Sequence, residues 1–160
     1  MIAIYTLQLM KKIIASLIVL AAVLLIKPAF AQTTDTIFTG AKATLSSYRA
    51  LYYLDDADPK KIKGTLRNID NALEDERLKG KLQVELVAFS DGVAVYDKSG
   101  PYEAALLALQ KKGVILAQCS NTVRERHIDK ATLYSFISYV PSGNGEIIIR
   151  QAEGWATIHP

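Results

Sequence analysis

A single cysteine, Cys119, among 160 residues leaves no intramolecular disulfide to close. Two histidines, His127 and His159, are too few and too widely spaced for a metal-ligand cluster. Zinc, nucleophile-elbow and dinucleotide motifs are all missing. Charge of one sign is also missing where it would matter. The chain has 19 Lys and Arg against 16 Asp and Glu, a net charge of +3. Three of those lysines (Lys11, Lys12 and Lys27) lie in residues 1–31, which contain no acid. Residues 32–160 therefore carry 16 basic and 16 acidic groups and have no electrostatic footprint for nucleic acid or anionic lipid.

Residues 1–31 read as a secretory signal peptide. Lys11 and Lys12 form a basic start, residues 13–26 are apolar apart from Ser16, and Pro28 stops any helix. Ala29-Phe30-Ala31 then offers small residues to a peptidase, which predicts cleavage after Ala31. The apolar run is shorter than the roughly 20 residues of a stable membrane span, so no span is expected after cleavage. An uncleaved anchor is the alternative, and Met10 is an alternative start. With cleavage, the product is an exported, periplasmic protein.

Residues 32–47 are polar and small and read as an N-terminal arm. From there one domain of strands alternating with helices extends over 48–160. Residues 49–54 make a buried first strand, and Asp58-Pro59 opens a helix whose Ile62, Leu66, Ile69 and Leu73 share a face, with Gly80 at its exit. Leu82, Val84 and Leu86 alternate with Gln83 and Glu85, then 87–89 are continuously apolar: a second strand, half exposed at first and buried at its end. Residues 93–96 suit a short helical turn. A helix then starts around 99–101, with Tyr102, Ala105, Leu106 and Leu109 inward and Gly113 closing it. Residues 114–117 form a third strand, a short helix is expected around 129–134, and 136–140 form a fourth strand. Ser142-Gly143-Asn144-Gly145 ahead of three isoleucines favours a hairpin locally, with a helix over about 144–153 as the competing reading. A last strand covers 155–159. Strands alternating with helices predict a parallel sheet covered on both faces.

Three blocks, in this order and spacing, resemble the DsrE/DsrF-like family: NALEDERLKGKLQVELVAFSDGVAVY (71–96), ALQKKGVILAQCSNT (108–122) and VPSGNGEIIIRQAEGWATIHP (140–160). The resemblance covers about 48–160. It implies a three-layer α/β/α fold with a mainly parallel five-stranded sheet, and it favours the helix over the hairpin after residue 142. It further implies a small, often homo-oligomeric protein that needs neither metal nor cofactor. Some members carry persulfide sulfur on a cysteine that matches Cys119, with Asn121 and Thr122 beside it.

Cys119 sits where an open α/β sheet binds ligands, just outside the carboxyl end of a strand. A helix starting after it would lower the thiol pKa through free N–H groups, and Arg124, Arg126 and His127 are close in sequence. A thiolate is the form that accepts sulfur by exchange. The plain alternative is a small buried hydrophobe. Ser90, Asp91 and Gly92, Ser120, Asn121 and Thr122, and Ser142 and Gly143 fall at the same sheet edge as candidate ligand contacts. Turn chemistry alone also explains 90–92, and 142–143 lack the spacing of a phosphate loop. Asp55, Asp56 and Asp58 are better explained by helix capping than by metal binding. Tyr52, Tyr53 and Trp155 read as core or interface aromatics.

Three functions compete on this reading. One is a periplasmic sulfur carrier or sulfur-responsive protein working through Cys119 with a donor or acceptor protein. Another is a non-enzymatic ligand-binding or homo-oligomeric module with a structural cysteine. The third, ranked last, is an enzyme using Asp91 as a base, for which no paired acid/base or nucleophile/base set is visible.

Overall fold

A computed structural model describes residues 37–160. The leader, its cleavage point and the choice of start lie outside the described residues. Residues 37–40 have no regular secondary structure, and residues 41–160 form the unit described below. Within it the end of the arm, 41–47, is irregular, and Arg77 donates to the carbonyl of Ala41.

Five strands form one sheet, β1 (Tyr48–Leu54), β2 (Leu82–Ala88), β3 (Ile115–Cys119), β4 (Ser138–Val140) and β5 (Ala156–Ile158), in the order β4-β3-β2-β1-β5. Every strand pair is parallel. The helices are α1 (Pro59–Glu74), α2 (Glu103–Lys111), α3 (Ser120–Glu125) and α4 (Gly143–Ala152), with 3-10 turns at Ser90–Tyr96 and Lys130–Thr132. The architecture is the expected parallel α/β sheet.

Period-two alternation divides the sheet into two faces. Ala50, Tyr52, Leu54, Val84, Leu86, Ala88 and Leu116 enter the larger core, which is closed by Ile62, Leu66 and Ile69 of α1 and by Leu106 and Leu109 of α2. On the other face Leu51, Val87 and Ala117 pack with Trp155, and Ile147 of α4 covers them. Residues 84–88 and 116–119 are therefore buried on both sides, as the inner strands of a parallel sheet should be.

α1 begins as its sequence dictates. The Asp58 carboxylate accepts the Lys60 N–H, and Pro59 fills a position whose N–H would be orphaned anyway. The helix ends earlier than the expected Gly80. Asp75 caps it, and its carboxylate takes both the backbone N–H and the guanidinium of Arg77. Gly80, at φ 73°, instead makes the turn into β2.

Three expectations need correcting. Glu85, read as the solvent side of an alternating strand, is 1% exposed, because Arg150 of α4 reaches down to pair with it at 2.8 Å. Ala105 of α2 is exposed rather than inward. The segment after Cys119 forms α3 at once, while 129–134 holds only a 3-10 turn, capped by Asp129. The helix expected over about 144–153 in place of a hairpin is present as α4, and the Ser142 hydroxyl accepts the Gly145 N–H as its N-cap. That cap works because Gly143 and Gly145 stand where a helix start is crowded, not where a hairpin turns.

Candidate functional site

β3 ends on Cys119, which is also the N-cap residue of α3. The thiol lines a cavity of about 320 Å³ at the carboxyl edge of the sheet. Ser90, Asn121, Thr122, Ser142 and Gly143 line the same cavity, so three separate turns meet there: those after β2, β3 and β4. Phe89, Glu125, Arg126 and Asn144 complete its wall.

Cys119 itself is 5% exposed. Burial pushes its thiol up. The backbone N–H and hydroxyl of Thr122, then the N–H groups of Gly143 and Asn121, outweigh that burial and bring the thiol below its ordinary value. The Ser90 N–H donates to Thr122 Oγ1 at 3.0 Å, occupying a lone pair of that hydroxyl and leaving its proton free for another acceptor. Ser90 holds a left-handed φ of 51°, unusual for a residue with a Cβ. Its own hydroxyl accepts from Arg126 at 3.0 Å, and Arg126 also pairs with Asp91.

Gly143 opens α4 against the ring of Phe89. A Cβ there would lie 2.9 Å from Phe89 Cδ1, so only glycine lets the helix start this close to β2 and to Cys119. Of the cations near Cys119 in sequence, Arg126 lines the cavity, Arg124 lies 3.5 Å from Glu125, and His127 is exposed.

Three candidates stand apart from the cavity wall. Asp91 is engaged by Arg126 at the rim. Gly92 is buried under β1, where a Cβ would sit 2.0 Å from the Leu54 carbonyl oxygen, so its role is packing. Ser120 opens α3 without lining the cavity. Three wall residues, Phe89, Glu125 and Asn144, were not expected. Phe89 reads as strand core in the sequence, and only the position of α4 turns it toward the thiol. The aspartates after β1 are occupied locally: Asp55 meets His159 Nε2 at 2.9 Å, and Asp56 holds Lys61 and the Asp58 N–H. Among the described residues no group of three or more metal-ligating side chains is assembled.

The fold and this edge can be compared with known proteins. The protein of unknown function MTH1491 from Methanobacterium thermoautotrophicum superimposes with a TM-score of 0.67 at 34% identity, covering 71% of this chain and all of that one. BT1422 from Bacteroides thetaiotaomicron, another conserved protein of unknown function, gives a TM-score of 0.57 at 9% identity over 76% of this chain and all of that one. The ychN protein of E. coli gives 0.52 at 14% identity over 72% of this chain and all of its own. The last two share the fold alone. Among proteins with curated functions none matches. The DsrE/DsrF-like family model matches residues 29–160, the whole sheet and every residue of the Cys119 cavity, so the chain belongs to the DsrE/DsrF-like family.

Proposed function

We propose that the protein is an exported sulfur carrier or sulfur-responsive protein in which Cys119 accepts sulfane sulfur. The observation that carries this reading is the place of Cys119: it ends β3 as the N-cap of α3 and lines an open cavity of about 320 Å³ together with Asn121, Thr122 and Gly143, whose donor groups bring its thiol below the ordinary value. Donors placed on a sulfur favour its thiolate, and a thiolate is the species that exchanges with a persulfide. The Cys119 thiolate attacks the outer sulfur of the donor. A new S–S bond forms on Cys119, the donor's S–S bond breaks, and the donor leaves as a thiolate. No external oxidant or reductant enters. Membership of a family that includes sulfur-relay proteins supports the same reading.

Asp91 would be the base in a turnover enzyme, and its engagement by Arg126 favours a carrier. The signal-peptide pattern of residues 1–31 supports a periplasmic location for the product. A homo-oligomer is proposed from α4, whose Ile148 and Ile149 are 68% and 54% exposed side by side. The physiological partner is a donor or acceptor of sulfane sulfur. The test is exposure of the protein to a sulfane-sulfur donor, read by intact mass with Cys119→Ser as control. Gain of one sulfur on the wild type alone, reversed by mild reduction, is expected. No gain, with poor alkylation of the folded protein, would instead make Cys119 a packing residue of a ligand-binding or assembly module.

A further inference from the structure

One face of α4 docks on a single strand at three points. Gly143, Ile147 and Arg150 are spaced by four and then three residues, so they share a helix face. Gly143 abuts Phe89. Ile147 packs in the cluster that contains Val87. Arg150 Nε donates to Glu85 Oε2 at 2.8 Å. Glu85, Val87 and Phe89 alternate along β2 and therefore face the same way. Seven residues of helix span about 10.5 Å, and four residues of strand about 13 Å. The two ends of the dock thus match within the reach of an arginine side chain.

The three contacts differ in kind. The glycine–ring and isoleucine contacts are non-directional and tolerate sliding of the helix along its axis. The Arg150–Glu85 contact is directional and is the one ion pair that ties α4 to the sheet among the described residues; at the far end Arg49 of β1 donates to the Glu153 carbonyl at 2.6 Å, which anchors the cap rather than the helix body. The other acidic partners of Arg150 are Glu146 at 2.8 Å and Glu153 at 3.4 Å, both on or next to its own helix, so they fix the guanidinium without fixing the helix. Trp155 stacks under the guanidinium at 4.4 Å and keeps it over the strand. Burial of a whole carboxylate in a sheet costs stability unless it is paired, and an apolar pair would hold the same layers together. Specific placement of α4 explains why a charged pair stands there.

We infer that the Glu85–Arg150 pair is a positioning device, which sets the axial register of α4 and thereby holds Gly143, two helical turns away, in the wall of the Cys119 cavity. This rests on the reading of Cys119 as a thiolate acceptor. Neither residue touches the cavity, so both act through α4.

The test compares wild type, Glu85→Gln, and the double variant Glu85→Leu/Arg150→Leu, which replaces the pair by apolar side chains and keeps the fold. Two quantities are read on each: the pH profile of Cys119 alkylation and the hydrogen-exchange rate of the Gly143 amide. Glu85→Gln retains an acceptor for Arg150 and is expected to keep both at wild-type values. The double variant is expected to remain folded by circular dichroism, to shift the alkylation profile up by about one pH unit, and to exchange the Gly143 amide at least severalfold faster. A folded double variant with wild-type exchange at Gly143 overturns the inference. An ordinary thiol pKa in the wild type would defeat the thiolate reading of Cys119, while faster Gly143 exchange in the double variant would still support the pair as the device that sets α4.

Discussion

Ser90 donates its N–H to the hydroxyl oxygen of Thr122 at 3.0 Å, tying the turn after β2 to the first turn of α3. That bond fixes the Thr122 hydroxyl oxygen at the wall of the cavity that Cys119 lines and leaves its proton free to donate. Thr122→Val keeps the shape and removes the hydroxyl. A hydrogen bond to a charged group contributes about 1.5–3 kcal/mol, so the thiol pKa should rise by about one unit or more. Alkylation rate against pH measures it. Thr122→Ser should stay near wild type, and an unchanged profile in Thr122→Val would remove the hydroxyl from the site.

Two glycines should tolerate alanine very differently. Gly92→Ala places a Cβ 2.0 Å from the backbone oxygen of Leu54, which has no side-chain freedom to yield, and folded protein should be lost. Gly143→Ala meets the Phe89 ring at 2.9 Å, and a ring can shift. It should cost about 1–3 kcal/mol and raise the Cys119 pKa. Phe89→Leu in the Gly143→Ala background should recover part of the stability, as a double-mutant cycle on thermal unfolding would show.

Acid should weaken the fold through Glu74 and Asp75. Hydrogen bonds from Lys112 and Lys79 hold Glu74 at about 2, and Arg77 holds Asp75 at about 2. Both values are lower folded than unfolded. Their contribution is complete above the ordinary carboxylate range and is lost as pH falls from about 4.5 towards 2. Glu85 has the opposite sign. Burial raises it, with Arg150 opposing, so its contribution is present at low pH and lost as pH rises through the raised value. Lys112→Met removes the nearer of the two lysine partners of Glu74. It should flatten the acid limb of stability against pH, as measured by urea unfolding at a series of pH values, without altering the Glu85 contribution.

Assembly through α4 makes a simple prediction. Ile148→Glu places a charge in the exposed apolar pair. Sedimentation velocity should report a smaller species than the wild type, with the circular dichroism spectrum unchanged. Equal sedimentation of the two proteins would rule out α4 as an interface, and a wild type that sediments as a monomer would rule out the homo-oligomer.

The sheet was legible because its strands are short apolar runs punctuated by Asp, Gly and Pro, and because Asp58-Pro59 and Gly113 mark helix ends unambiguously. Cys119 at the end of β3 follows from the run that precedes it. Other features resist reading in one dimension. Glu85 looks solvent-facing in an alternating strand, since its partner Arg150 lies 65 residues away on another element. α3 carries no apolar stripe beyond Val123, so SNTVRE reads as loop until a strand delivers its N-cap. Asn-Gly before three isoleucines favours a hairpin over α4, and family resemblance, not local propensity, corrects it. Gly143 reads as a sheet-edge candidate and Phe89 as strand core, but their fit is a property of two elements meeting.

A carrier must release what it accepts, so cyanolysis of the sulfur-loaded protein tests the reading of Cys119 most directly. Cyanide takes the outer sulfur of a persulfide as thiocyanate and returns the thiolate. One thiocyanate per chain from loaded wild type, none from Cys119→Ser, and full reloading afterwards are predicted. No thiocyanate from wild-type protein treated with the donor would contradict a sulfur-carrying Cys119.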